Sequence, residues 1–225
     1  MNKKPIFTVF NYKGIILHLW SRKKLRSDKK YQFFIFCYGL PSHPYQHNPA
    51  KLEHFLDDCH VLVYPHYIGT WGSEGKMSWE NCVQTILETV RFINDRKSIN
   101  TYNQTEISWD VDNISIVGGS FGGSIALVSG AKSEFIKNII AIASPTNWRD
   151  HSRIPEESAE PIEELFGAIQ RGWKNLWRIP NKKEWERLVD GSADINPIDY
   201  IDNLKEKNVL LIHGDKDSVV SVKRS

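Results

Sequence analysis

The chain has 225 residues, 40% of them apolar and 25% charged, with a formal net charge of +2. That length suits one domain with a sizeable core, and the composition is that of an ordinary globular protein. The near-neutral balance gives no basis for gripping nucleic acid or an anionic membrane, and no run approaches the roughly 20 apolar residues of a membrane span.

The start, Met1 to Ile6, lacks the apolar core of a signal peptide and leads at once into a strand pattern over Ile6–Phe10, with a second over Ile15–Trp20. The basic run Arg22-Lys23-Lys24-Leu25-Arg26, followed by Lys29 and Lys30, contains Ser27-Asp28 and no aromatic residue. It reads as a solvated hairpin loop rather than a phosphate-binding patch. A third strand over Gln32–Tyr38 runs into Gly39-Leu40-Pro41, and a fourth covers His60–Tyr64. Cys37, Cys59 and Cys82 are odd in number and match no zinc or redox spacing, as expected of free thiols in a reducing cytoplasm.

The clearest helix runs from about Ser78 to Asn94. Trp79, Cys82, Val83, Ile86, Leu87, Val90 and Ile93 form one apolar stripe, with Ser78 as the N-cap. Strands over Asn113–Val117, Asn138–Ala143 and Asn208–His213 are continuous apolar runs, the mark of strands buried on both faces. A second helix begins at Ser120 and carries Ile125 to Val128. Between Pro145 and Lys207, prolines at 145, 155, 161, 180 and 197 punctuate two amphipathic patterns, around Ile162–Trp173 and Lys183–Val189. Residues 146–207 therefore read as a helical cap over the carboxyl ends of the strands, inserted in a single domain spanning 1–225. The alternation of strands and helices predicts an α/β fold with a mostly parallel sheet covered on both faces.

Gly118-Gly119-Ser120-Phe121-Gly122 fits G-x-S-x-G, with Gly123 adding another small residue. A nucleophilic serine needs a tight strand-to-helix turn that exposes its hydroxyl above the sheet, and glycines where the two backbones nearly touch. The helix that follows aims its free N–H groups at a developing oxyanion. Three fixed positions alone are weak evidence; the buried strand before them and the helix pattern after them make the case. Neither a G-x-G-x-x-G nor a GK[ST] ending is present, which argues against a phosphate loop.

After the strand ending near His213 comes Gly214-Asp215-Lys216-Asp217-Ser218-Val219-Val220. Acyl transfer through a neutral histidine needs a carboxylate to orient the ring, and Asp217 is the first choice, with Asp215 second. His213 abuts the strand and reads as a structural histidine. The oxyanion donors are the N–H of Phe121 and a group near Gly39–Leu40, either the Leu40 backbone or the Tyr38 hydroxyl. Trp71, Trp148, Trp173 and Trp177 are candidates for an apolar pocket near the cap, though packing is their default. No histidine pair has metal-ligand spacing, so neither a metal nor another cofactor is expected.

Together these elements resemble the catalytic domain of the prolyl oligopeptidase family of α/β-hydrolases, over roughly Tyr31 to Val220. Val111-Asp112-Asn113-Ile114 leading into Gly-Gly-Ser-Phe-Gly-Gly is similar to that family's entry to its nucleophile. Tyr64-Pro65-His66-Tyr67-Ile68-Gly69, with Gly72 to Gly75, is similar to its segment after the fourth strand. Asn196-Pro197-Ile198-Asp199-Tyr200 resembles its Ser-Pro-x-x-Tyr stretch. The resemblance implies Ser120 as nucleophile, Asp217 as triad acid and Tyr38 as an oxyanion tyrosine. It implies a serine hydrolase acting on an ester or short peptide. No β-propeller is expected before this domain, so exopeptidase specificity is not expected to carry over.

Eight residues follow Asp217, whereas the family places a helix, a strand and then its histidine there. The chain is accordingly expected to stop before its catalytic histidine and to self-associate through an exposed sheet edge. The alternative is a catalytically inactive hydrolase-like binding protein. His43 and His66, on loops at the Ser120 end of the sheet, are the candidates for a substitute base, but for them, as for His18, His47, His54, His60 and His151, the default reading is a surface or hydrogen-bonded residue.

Overall fold

A two-residue turn makes the first two strands a hairpin. In the computed structural model, which describes residues 5–45, 56–153 and 162–224, β1 (Ile6–Tyr12) pairs antiparallel with β2 (Ile15–Ser21). Lys13 and Gly14 both have positive φ, 54° and 81°, as a turn of the I′ kind requires, and the Asn11 side chain accepts the Gly14 N–H at 2.9 Å. The basic segment after β2 is an irregular loop and not the expected hairpin, because β4 pairs between β2 and β3; its Lys23 and Arg26 pair with Asp58 and Asp28.

The remaining main strands are β3 (Lys30–Cys37), β4 (His60–Pro65), β7 (Asp110–Gly119), β8 (Ile136–Ile142) and β9 (Asn208–Ile212). They join the hairpin in one seven-stranded sheet of order β1-β2-β4-β3-β7-β8-β9, parallel from β4 onward. Every strand read from the apolar runs lies in this sheet. The ribbon of β5 (Lys97–Ile99) with β6 (Glu106–Ser108) was not foreseen, because three-residue strands leave no periodicity to detect.

Helix α1 (Trp79–Asn94) buries Trp79, Cys82, Val83, Ile86, Val90 and Ile93, the expected stripe, and the Ser78 hydroxyl accepts the Asn81 N–H at 3.2 Å. Helix α2 (Phe121–Lys132) lies between β7 and β8 in sequence and is buried from Phe121 to Gly130, all round rather than on one face. It packs on the sheet and on α1 at once, so no polar side is needed.

Residues 146–207 carry α3 (Ile162–Gly172), α4 (Lys182–Val189) and α5 (Ile201–Leu204); residues 154–161, with Pro155 and Pro161, lie outside the described residues. The Asn181 side chain caps α4 by accepting the Glu184 N–H at 2.9 Å. Trp185 of α4 meets Trp79 of α1 with ring centroids 5.7 Å apart, and Trp177 is wholly buried, so this stretch is built into the main core. Buried aromatic pairs of this kind add about 0.5–1.5 kcal/mol beyond their area.

One expectation is corrected. Burial on both faces holds for the middle of β7, where Ile114, Ser115 and Ile116 are all enclosed, and is partial for β8, but every residue of β9 is exposed. The reason is position: β9 is the outermost strand and has only β8 beside it. No helix among the described residues is long and apolar enough to cross a membrane.

Candidate active site

Strand β7 delivers Ser120 to the carboxyl edge of the sheet in a conformation that a side-chain-bearing residue avoids, φ 53° and ψ −127°. Such strain costs on the order of 1–3 kcal/mol and persists only when its surroundings over-determine it. Here the Ser120 N–H donates to the Ile142 carbonyl at 2.8 Å, and the Ser120 carbonyl accepts the Gly123 N–H at 2.9 Å. A Cβ at Gly118 would overlap the Gly122 carbonyl, and one at Gly122 would overlap the Cys37 carbonyl and sit 2.8 Å from that of Tyr38. The glycines are thus dictated by close approach of β7, α2 and the end of β3. The Ser120 hydroxyl makes no capping bond to the helix and is left for other chemistry. Phe121 opens α2, so its N–H has no partner within the helix.

The acid loop emerges from the same edge. Gly119 is in register with Ile142, and Ile142 with Ile212, so one strand separates the exits of Ser120 and His213. Two strand spacings place those backbones roughly 10 Å apart. The Asp217 carboxylate accepts the N–H groups of Val219 and Val220 through Oδ1, at 2.9 and 3.0 Å. Its Oδ2 lies 3.6 Å from His213 Nε2, which donates instead to the Val220 carbonyl at 2.7 Å. Asp215 is exposed.

On the other side of the elbow, Tyr38 is enclosed. Its hydroxyl oxygen accepts the Tyr67 N–H at 2.8 Å and lies 2.7 Å from the Thr70 hydroxyl. Because Thr70 donates its own proton to the Tyr67 carbonyl at 2.8 Å, the single Tyr38 proton goes to Thr70. Burial pushes the Tyr38 hydroxyl pKa far above its ordinary value. Tyr67 stacks on the Tyr38 ring at 4.2 Å. Leu40 is half-buried on the loop that follows.

The described histidines are placed as follows. His66 follows β4, donates its backbone N–H to Ile16 of β2, and accepts the Gly72 N–H through Nδ1 at 3.2 Å. Its ring meets His18 edge-on at 4.5 Å. Burial, then the neighbouring His18, pushes the His66 pKa down to about 3, and burial brings His18 to about 4. Tyr45 bonds His18 Nδ1. His43 is exposed, and His60 lies 3.6 Å from Asp57. His47, His54 and the side chain of His151 lie outside the described residues. Among the described residues no histidine bonds the Ser120 hydroxyl, and no group of three His, Cys, Asp or Glu residues could hold a metal ion. The three cysteines are unpaired, and burial raises the thiol pKa of Cys37 and Cys82.

Trp148 and Trp177 pack round Phe121, with centroids 6.0 and 6.1 Å away, whereas Trp71 and Trp173 are half-buried and meet edge-on at 6.3 Å. An open apolar hollow of about 390 Å³ lies against α2, α5 and β9, lined by Leu127, Ile201, Leu204 and Leu211 among others. It includes neither Ser120 nor Asp217, so the chemistry and not the hollow locates the site. The residues that sequence reasoning missed are Thr70 and Tyr67 as partners of the Tyr38 hydroxyl. They stand 32 and 29 positions away, and no local pattern announces that bond.

The sequence pattern of the prolyl oligopeptidase family matches residues 54–225. No curated protein matches the chain. Among solved structures, the acylaminoacyl peptidase of Pyrococcus horikoshii is 17% identical with a TM-score of 0.59, over 99% of this chain and 34% of that one. An esterase of Pyrococcus furiosus is 16% identical with a TM-score of 0.59, over 98% of this chain and 73% of that one. The chain therefore spans about a third of the peptidase, and at these identities the likeness is one of fold.

Proposed function

The chain belongs to the prolyl oligopeptidase family, and from that membership we propose that it is a serine hydrolase that cleaves an ester or amide through an acyl intermediate on Ser120. The observation that carries this reading is the strained elbow: a serine at φ 53° between a buried strand and the N-terminus of a buried helix. Holding that geometry is costly and has no purpose in packing, since Ser120 is only half-buried and its hydroxyl caps nothing.

In the proposed reaction the Ser120 oxygen attacks the substrate carbonyl carbon while a base takes its proton. The tetrahedral oxyanion is held by the Phe121 N–H and by a backbone N–H at Gly39–Leu40. The Tyr38 proton is already directed at Thr70, which favours the backbone as second donor. Collapse breaks the bond to the alcohol or amine, which leaves with the proton, and water then cleaves the acyl–Ser120 ester. Asp217, with two N–H groups on one carboxylate oxygen and the other facing His213 at 3.6 Å without a hydrogen bond, is suited to orient a histidine ring and stabilise its cation.

A second reading, a non-catalytic binder on the same fold, is favoured by one observation: no described histidine bonds the Ser120 hydroxyl. One experiment separates the two. A fluorophosphonate probe and a series of p-nitrophenyl esters and peptide anilides are applied to the parent protein and to Ser120→Ala. The hydrolase reading expects labelling at Ser120 alone and loss of turnover by several orders of magnitude in the variant. Equal turnover in both proteins, or no labelling of the parent, would return the protein to the binder class.

A further inference from the structure

The loop between Tyr38 and Ser42 is held at both ends by residues far away in sequence, and its far anchor has an unusual form. The indole N–H groups of Trp71 and Trp177 both donate to one acceptor, the carbonyl of Ser42, at 3.1 and 3.0 Å. A carbonyl has two lone pairs, so these two donors saturate it and fix the direction of the peptide. At the near end the Tyr67 hydroxyl donates to the Tyr38 carbonyl at 3.2 Å, and Tyr67 and Thr70 hold the Tyr38 hydroxyl. Gly39 and Leu40 lie between the two anchors.

The anchor at Ser42 is maintained against strain. Trp71 has φ 45°, a region that bulky side chains avoid. Both of its backbone groups are engaged: its N–H donates to Leu176 at 2.7 Å, and its carbonyl accepts the Arg178 guanidinium at 3.0 Å. Trp177 comes from the same 176–178 strut, which bridges to Thr70. Its buried ring packs edge-on against Tyr38 at 5.7 Å and against Phe121 at 6.1 Å. One indole thus touches the residue that opens α2, the residue that follows β3, and the carbonyl that orients the loop between them.

We propose that Trp71 and Trp177 are positioning residues which, through the shared Ser42 carbonyl, hold the Gly39–Leu40 backbone at a fixed distance and angle from the Phe121 N–H. This rests on the hydrolase reading above, for which those two N–H groups are the oxyanion donors. The pair acts on the transition state and not on substrate affinity, because both indole N–H groups are spent on the Ser42 carbonyl.

The test uses Trp71→Phe and Trp177→Phe, which keep an aromatic ring and remove the donor. Trp109→Phe is the control, since its indole N–H bonds Ile93 at 2.8 Å at the opposite end of β7. Hydrogen exchange of the amides at 39–43 is measured together with the two constants of fluorophosphonate labelling at Ser120, the inactivation rate and the affinity for the probe. Expected are exchange at least tenfold faster at 39–43 and inactivation slowed by about a hundredfold, the scale on which a small misplacement acts. Probe affinity stays unchanged, and Trp109→Phe shows neither effect. Unchanged exchange in both variants, or a loosened loop with full-speed inactivation, overturns the proposal. Absence of labelling in the parent protein overturns the hydrolase reading, and the exchange data still decide whether the clamp exists. Trp71, the half-buried partner, keeps the test open should Trp177→Phe fail to fold.

Discussion

The His213 ring donates through Nε2 to the carbonyl of Val220, 2.7 Å away, and so closes the loop in which Asp217 sits. Val219 and Val220 in turn donate their N–H groups to the Asp217 carboxylate. The acid is therefore fastened by the same short segment that it organises. On the proposed mechanism, in which Asp217 orients the base, Asp217→Asn should slow acylation of Ser120 by about 10⁴-fold. Asp215→Asn should leave the rate within about threefold, since Asp215 is exposed and adjacent only in sequence. Rapid-quench labelling of both variants checks this; equal rates would show that Asp217 is only a turn residue.

Removing the Tyr38 hydroxyl should cost stability rather than rate. Tyr38→Phe leaves the buried Tyr67 N–H without its acceptor and the Thr70 oxygen without its donor. An orphaned buried group costs about 1–3 kcal/mol. Urea unfolding should give a lower midpoint with the same slope, while kcat on an activated ester falls less than threefold. A large fall in kcat with unchanged stability would restore the hydroxyl to the oxyanion site.

The elbow should not tolerate a methyl group at Gly122. Its Cβ would meet the backbone carbonyls of Cys37 and Tyr38, which cannot rotate away as a side chain could. Gly122→Ala should destabilise by about 3 kcal/mol or more, the upper range for overpacking. At about 2–4 °C per kcal/mol for a chain of this size, the thermal midpoint should drop by roughly 6–12 °C. Gly172→Ala, at the end of α3 with open space around it, should be neutral or slightly stabilising. Differential scanning fluorimetry of the pair tests the contrast.

Acid should weaken the fold through His66 and His18. Their folded pKa values, about 3 and about 4, lie below the ordinary 6.5, so the unfolded chain binds more protons between those limits. Stability from this source is fully present above pH 6.5 and is lost as the pH falls toward 4. The ceiling is about 1.4 kcal/mol per pH unit for each proton, reduced for His18 because water screens its partly open ring. The depressed carboxylates, Asp194, Glu80 and Glu88 among them, take up protons in the unfolded chain only as the pH nears 5, so they add to the decline at its acid end and little above about pH 5.5. Urea midpoints at pH 7, 6 and 5 should decline, and His66→Phe should flatten the decline. A pH-independent midpoint over this range would rule the histidine pair out.

Much of the architecture was legible locally. Seven apolar runs became the seven strands of the sheet, the exposed edge strand β9 among them, because a run of apolar and β-branched residues favours a strand wherever it pairs. The stripe from Trp79 to Ile93 and the Ser78 cap specified α1 to within a residue at its start, since helix ends are set by bonds three positions apart. The Gly118–Gly123 pattern placed the elbow, whose tight turn depends on which residues lack a Cβ. Those features obey short-range sterics and periodicity.

Tertiary structure alone decided the rest. A tyrosine at a strand end reads equally well as oxyanion donor or core, and only the fold shows that its hydroxyl meets Thr70, whose own proton goes to the Tyr67 carbonyl. His66, a loop histidine in the sequence, is closed in against His18 by the β2–β4 pairing. Trp177 reads as a cap residue, yet it is enclosed by Tyr38, Tyr67 and Phe121, which arrive from three different elements. A hydroxyl proton's direction, a ring's burial and an indole's acceptor are each set by groups dozens of residues apart, and packing brings those groups within bonding distance only once the sheet has formed.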